Sequence, residues 1–145
     1  MPKVTFDSDV FMRRKPTKLP AGFYMSAVVL EELAAGARDG SVLKELEAAL
    51  KNYQKAERLL VPTAEDWFLA GKVIYALQQG VKSKKTGDKP PMHPDVRTRI
   101  INDVLIARSA KRAGVTVVTY NVRHFEQIRR YCAVKLVNAA EYFGQ

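Results

Sequence analysis

Two polar residues stand directly behind β-rich runs: Asp7 follows Val4-Thr5-Phe6, and Asn121 follows Val117-Val118-Thr119-Tyr120. Open α/β sheets bind ligands outside the carboxyl ends of their strands, so residues that stop strands are the first candidates for chemistry. If those two strands are parallel neighbours, both side chains reach one rim. Asp7 also suits the N-cap of a helix starting near Ser8, and the two roles are compatible. Asp103 is more informative, because the helical stretch from Arg97 to Arg112 carries no other acid. Ile100, Asp103, Ala107 and Ala110 follow one another at helical spacing, so Asp103 interrupts a packed stripe instead of sitting on a solvated face. The bland alternative is an i, i+4 pair with Arg99, worth a few tenths of a kcal/mol and in the less favourable order. Glu31 and Glu32 follow an apolar run and open a helix, where carboxylates suit the positive end of the dipole. One of them faces the sheet rim and the other solvent, and their spacing does not choose between them.

Three carboxylates gathered on one rim repel one another, which raises the pKa of at least one unless a cation offsets the charge. A hard ion such as Mg²⁺ or Mn²⁺ answers that need. It takes oxygen ligands, usually one or two carboxylates together with waters and substrate phosphate. The chain has one cysteine, Cys132, and two histidines, so a zinc centre is a poor match. His124 reads better as an N-terminal helix residue than as a proton-transfer group.

The elements that must position these residues follow from the pattern. Lys3 to Phe6 predicts a first strand ending at Asp7, and Phe23 to Leu30 a second strand that runs into a helix at Glu31. Ser41 caps a helix with Leu43, Leu46, Leu50 and Tyr53 at helical spacing, and Leu59 to Val61 forms a third strand before Pro62. Thr63 and Asp66 form a capping-box variant opening a helix through Gln79, with Phe68, Val73, Ile74 and Leu77 on its apolar face and Gly80 at its end. Trp67 and Phe68 read as core residues, with dimer contacts as the alternative. From 81 to 94 the chain is rich in Lys and Pro and forms a basic surface loop. A helix from Asp95 to Arg112 ending at Gly114, a strand from Val115 to Thr119, a short helix from His124 to Tyr131 and a strand from Val134 to Val137 complete the chain. Strands alternating with helices of this length predict an α/β fold, with a mainly parallel central sheet covered on both faces as an α/β/α sandwich. One domain spanning residues 1–145 is expected, since no repeat or second composition regime appears.

Lys and Arg number 24 against 15 Asp and Glu, a formal charge of +9, which favours an acidic partner, most commonly nucleic acid. A single cysteine excludes an intramolecular disulfide and suits a reducing cytoplasm. The N-terminus lacks the apolar core of an export signal, and no apolar run approaches the ~18 residues of a membrane span, so a cytoplasmic location is expected. No Gly-rich phosphate loop follows the first strand, which excludes a doubly wound nucleotide-binding domain.

Four blocks in order resemble the PIN-domain family, most closely its VapC-like toxins. They are Phe6-Asp7-Ser8-Asp9-Val10, the run from Ser26 to Gly36, the run from Asn102 to Ala110, and the run from Val117 to Phe125. The resemblance covers nearly the whole chain. It selects Glu32 over Glu31 and implies that Asp7, Glu32 and Asp103 bind Mg²⁺ or Mn²⁺ and cut RNA phosphodiester bonds by hydrolysis. It further implies a cognate antitoxin and a homodimer. Asn121 would position water, with Ser8, Thr119, Lys84, Lys85 and Arg123 on the substrate. One departure matters: the closing turn of this family often supplies a fourth acid, where this chain has Asn121 and His124. A non-catalytic RNA- or protein-binding module is the alternative that this departure supports. Retention of Asp7, Glu32 and Asp103 together speaks against it.

Overall fold

The computed structural model describes residues 2–16, 18–79 and 91–144. Strand β1 (Val4–Phe6) pairs in parallel with β4 (Thr116–Thr119), with Val4 opposite Thr116 and Phe6 opposite Val118, and β4 pairs in parallel with β5 (Leu136–Asn138). Strands β2 (Met25–Ser26) and β3 (Leu59–Leu60) form a second parallel ribbon. A parallel bridge between Val4 and Phe23 brings it beside β1, through Val4 N donating to Gly22 O at 3.0 Å and Tyr24 N donating to Val4 O at 2.8 Å. Gly22 is required there, because a Cβ would lie 2.0 Å from the Pro2 carbonyl oxygen. The spatial order is therefore β3-β2-β1-β4-β5. The chain leaves β1 toward one edge and returns on its other side, so the topological switch falls between β1 and β4.

Seven helices accompany these strands among the described residues: α1 (Ser8–Arg14), α2 (Ala27–Ala35), α3 (Gly40–Lys55), α4 (Ala64–Gln79), α5 (Pro94–Arg112), α6 (Val122–Ile128) and α7 (Ala139–Tyr142). The core packs Phe6, Val117 and Val118 of the sheet against Val10, Val29, Val73, Val104, Leu105, Ile106 and Phe125 of the helices. The α/β class with a parallel sheet is as the alternation predicts.

Several local expectations are corrected. Val28, Val29 and Leu30 are helical, not extended: Ser26 caps α2, its Oγ accepting from Val29 N at 3.3 Å, and the three apolar side chains are buried on that helix. The first turn of α2 consequently contains no acid, and Glu31 and Glu32 lie beyond the reach of its dipole. Asp39 and not Ser41 caps α3, its Oδ1 accepting from Val42 N at 3.0 Å. Helix α6 starts two residues earlier than expected, α1 is a full element, and the short α7 carries no distinct sequence signal. Gly80 and the residues from 81 to 90, with Lys84 and Lys85, lie outside the described residues.

The capping box at α4 is present, with Thr63 N donating to Asp66 Oδ2 at 2.9 Å and Asp66 N to Thr63 Oγ1 at 3.3 Å. Asp66 is fully buried and also pairs with Arg108 and Arg112 of α5. Burial alone would raise its pKa, but the Arg112 guanidinium, the Thr63 amide and Arg108 outweigh it and hold the carboxyl below its usual range. Asp66→Ala removes the cap and leaves two guanidinium groups without their acceptor. It is expected to cost on the order of 3 kcal/mol in urea unfolding at pH 7. Because this carboxyl's pKa is depressed on folding, the loss should shrink as pH falls below the usual carboxylate range. An unchanged midpoint at pH 7 would show that the α4–α5 packing does not depend on this ion pair. Phe68 and Trp67 of the same helix are 73% and 57% exposed, so their assignment to the core is corrected: the buried face of α4 is Asp66, Ala70, Val73 and Ile74.

Candidate active site

Asp7 ends β1 and caps α1 at once. Its backbone N continues the ladder by donating to Val118 O at 3.0 Å, which fixes the residue beside the end of β4. Its Oδ1 accepts from Ser8 N at 2.8 Å and its Oδ2 from Thr119 Oγ1 at 2.9 Å. Thr119 is wholly buried at the end of β4. Its hydroxyl also approaches Asp9 Oδ2 at 3.2 Å and accepts from Asn121 N at 3.0 Å. A hydroxyl has one hydrogen, so Asp7 and Asp9 share it.

Asp9 lies in the first turn of α1. Its Oδ2 accepts from Tyr120 N at 3.1 Å and from Asn121 Nδ2 at 2.9 Å, while its Oδ1 is buried without a partner. Glu32 is half-buried on α2, with Asn102 and Ser8 beside its carboxylate and its Oε1 also buried without a partner. Glu31 is exposed. Asp103 is 7% exposed on α5 between the buried Ile100 and Ala107. It forms no ion pair with Arg99 within 4.0 Å, so the simple i, i+4 pair is absent.

These acids share one electrostatic neighbourhood. Burial, then the charge of Asp9, raises Asp7 to about 6. Burial, then Asp7, raises Glu32 to about 7, and burial, then Asp7, raises Asp103 to about 8 even though Arg99 opposes the shift. Asp9 is raised as well, chiefly by burial. Among the described residues no group of three or more His, Cys, Asp and Glu side chains is placed so that it could hold a metal ion. A cleft of about 760 Å³ between α6 and β5 is lined by none of these acids.

A second layer surrounds the acids. Arg99 Nη1 lies 3.2 Å from His124 Nε2, and Arg99 Nη2 donates to Gln127 Oε1 at 3.1 Å. Arginine can only donate, so His124 Nε2 must be the acceptor and the ring neutral with its hydrogen on Nδ1. Burial, then the Arg99 charge, lowers the His124 pKa accordingly. The guanidinium of Arg13 lies 4.6 Å from the centre of the Tyr120 ring.

A family model described as the PIN domain matches residues 12–131 of the sequence. The chain belongs to the PIN domain family. The match takes in Glu32, Asp103 and Asn121 but begins after Asp7, which the pairing of β1 with β4 places beside them. Three solved structures share the fold. A chain of DNA-bound VapBC from Salmonella typhimurium is 21% identical, with 96% of this chain and 99% of that chain covered and a TM-score of 0.54. A chain of FitAcB from Neisseria gonorrhoeae is 18% identical, covering 94% of this chain and 97% of that chain at 0.53. A chain of FitAB bound to the IR36 DNA fragment is 18% identical, covering 94% of each at 0.55. No curated protein matches the sequence.

Within this PIN fold Asp7, Ser8, Glu32, Asp103, Thr119 and Asn121 come together near the switch point. Arg123 is exposed in the first turn of α6. Asp9 is the residue that sequence reasoning passed over. An acid in the first turn of a helix is routine, and it takes the contacts with Thr119, Tyr120 and Asn121 to show that it faces the cluster. The Asn121 amide nitrogen donates to Asp9, so this residue also positions a carboxylate.

By the chemistry of its donors, and not by their present placement, the cluster suits a hard divalent cation. All the inward groups are oxygens, two of which are buried without a hydrogen-bond partner, and the acids are held above their ordinary pKa values by burial and by one another. Cys132 is buried elsewhere with its Sγ 3.5 Å from the Ile128 carbonyl oxygen, and His124 is engaged with Arg99, so neither supplies a soft ligand. No helix among the described residues is long and apolar enough to cross a membrane.

Proposed function

We propose that the protein is a divalent-metal-dependent ribonuclease and the toxin of a toxin–antitoxin pair. The observation that carries this reading is the gathering of Asp7, Asp9, Glu32 and Asp103 at the β1–β4 switch point of a PIN fold, with Asp9 Oδ1 and Glu32 Oε1 buried and unpartnered. In this reading Asp7, Glu32 and Asp103 hold Mg²⁺ or Mn²⁺. Asp9 supplies from α1 the fourth acid that the closing turn lacks. When bound, such an ion acidifies water and offsets phosphoryl charge. The chain's own residues do the rest. Thr119 holds Asp7 and Asp9 in register, Asn121 orients Asp9, and Asn102 and Ser8 favour the charged form of Glu32. Ser8, Thr119 and Arg123, with Lys84 and Lys85 of the basic stretch, contribute RNA contacts, and the +9 charge attracts the backbone.

The antitoxin partner rests on the VapBC and FitAcB complexes that share the fold. The homodimer rests on family resemblance together with the exposed Trp67 and Phe68 of α4, whose burial against a second copy would remove apolar surface from water. A cytoplasmic location accords with the free Cys132.

The test is cleavage of a mixed RNA pool by purified protein with Mg²⁺, Mn²⁺ or EDTA. Cutting that needs the ion and is lost in Asp7→Asn is the expected result. Equal cutting by Asp7→Asn would reject the proposed site. Tight RNA binding without cutting under any metal would instead establish the binding module on the same fold.

A further inference from the structure

The cations around the cluster are not equivalent. Arg108 and Arg112 are paired with Asp66, and the Arg13 guanidinium stacks on Tyr120. Arg99 differs from all three. Its two terminal nitrogens are held by neutral partners, His124 and Gln127, so its charge is not neutralised by an ion pair. Its Nε is buried and has no acceptor. It stands one helical turn before Asp103 on the same face of α5, yet does not close onto that carboxylate. A half-buried guanidinium that is fixed in place but not spent on a carboxylate is uncommon, because a buried donor without an acceptor costs free energy.

We propose that Arg99 is a phosphate-binding residue of the site: held by His124 and Gln127 at the rim of the carboxylate cluster, it receives a non-bridging phosphate oxygen of the RNA strand. The chemistry matches. A guanidinium presents planar paired donors that suit a phosphate, keeps its charge at any working pH, and retains unused N–H groups here. The placement matches too, since a cluster of acids repels a polyanion unless a nearby cation receives it. His124 and Gln127 are positioning residues in this arrangement. A neutral His124 holds the Arg99 fork as an acceptor without competing for its charge, which gives the histidine a part other than proton transfer. The proposal rests on the ribonuclease reading for its substrate, although the contact itself requires only that RNA is bound.

The experiment compares unmodified protein with Arg99→Ala, Arg99→Lys and His124→Ala. A labelled 20-nucleotide single-stranded RNA is titrated in EDTA from roughly 50 to 200 mM salt, cleavage is followed in Mg²⁺, and melting is recorded for each variant. Loss of one phosphate contact should lower the slope of log affinity against log salt by about 0.7 in Arg99→Ala, and weaken binding roughly tenfold at low salt. Arg99→Lys should keep the slope, because the charge remains, while cutting more slowly than the parent. His124→Ala should weaken binding less than Arg99→Ala, because it frees the fork without removing it. Arg99→Ala with unchanged slope and affinity overturns the proposal even if its cleavage falls, since Arg99 would then act only on Asp103. An Arg99-dependent slope in a protein that cuts nothing keeps the phosphate contact and removes the ribonuclease reading. Cutting by a parent whose RNA affinity ignores Arg99 does the reverse. Comparable melting of Arg99→Lys and parent separates these results from misfolding.

Discussion

Asp103→Asn should abolish metal-dependent cleavage and, in the same protein, raise the melting temperature of the metal-free form at pH 8. Burial and the charge of Asp7 lift the Asp103 pKa from its ordinary 3.8 to about 8. Between those two values the folded protein keeps a proton that the unfolded chain has given up, so stability falls as pH rises through the window. An asparagine has no proton to lose and adds no charge to its neighbours. The gain should therefore be smaller near pH 5, where only the first part of that window has been crossed, and should grow to about 5 °C at pH 8, as expected for roughly 1–2 kcal/mol in a chain of this length. Scanning calorimetry in EDTA at pH 5 and pH 8 measures it. A variant less stable than the parent at both values would show that Asp103 supports the fold and is not a strained functional acid. A loss of cleavage with a gain of stability is the signature of a site assembled against the preference of its own charges.

Mn²⁺ affinity should climb steeply between pH 6 and pH 8 and should release protons as the ion binds. Asp7 and Glu32 are raised to about 6 and about 7, Glu32 by burial and the charge of Asp7, so an ion arriving at pH 6 must displace hydrogen from the carboxylates it uses. Each displaced proton makes affinity change about tenfold per pH unit below the relevant pKa. Titration calorimetry in two buffers of different ionisation heat gives the number released. The same ion should raise the melting temperature more at pH 8 than at pH 6, reversing the pH trend of the metal-free protein. Affinity that stays flat across this range, with equal heats in both buffers, would place the ion away from these acids.

Much of the site could be read from residue types because two positions violated local rules. Asp7 stops a strand, and Asp103 sits among Ile100 and Ala107 where a packed helix wants an apolar side chain; both carboxylates are buried. Glu32 needed a family pattern, because Glu31 and Glu32 are chemically alike and only the rotation of α2 turns one inward. The start of that helix also differs from the strand expected over Phe23 to Leu30. Val28, Val29 and Leu30 favour strands on their own, but the Ser26 cap and their burial against the sheet make them helical, a case of tertiary context overriding propensity. Asp9 was hidden for the opposite reason: it obeys a local rule, an acid in a first turn, while also serving a distant one. Phe68 misled because an apolar side chain at helical spacing need not face the core of its own chain, and on α4 the buried stripe is occupied by Asp66, Ala70, Val73 and Ile74.

The bond from Thr119 to Asp7 joins positions 112 residues apart, through the parallel pairing of β1 with β4. During synthesis the ribosome releases Asp7, Asp9 and Glu32 long before Thr119 and Asn121 exist. Until β4 has emerged and inserted beside β1, the Thr119 and Asn121 contacts that fix the Asp7 and Asp9 carboxylates cannot form, so the two ends of this stretch of chain must meet before the acidic rim takes its final geometry.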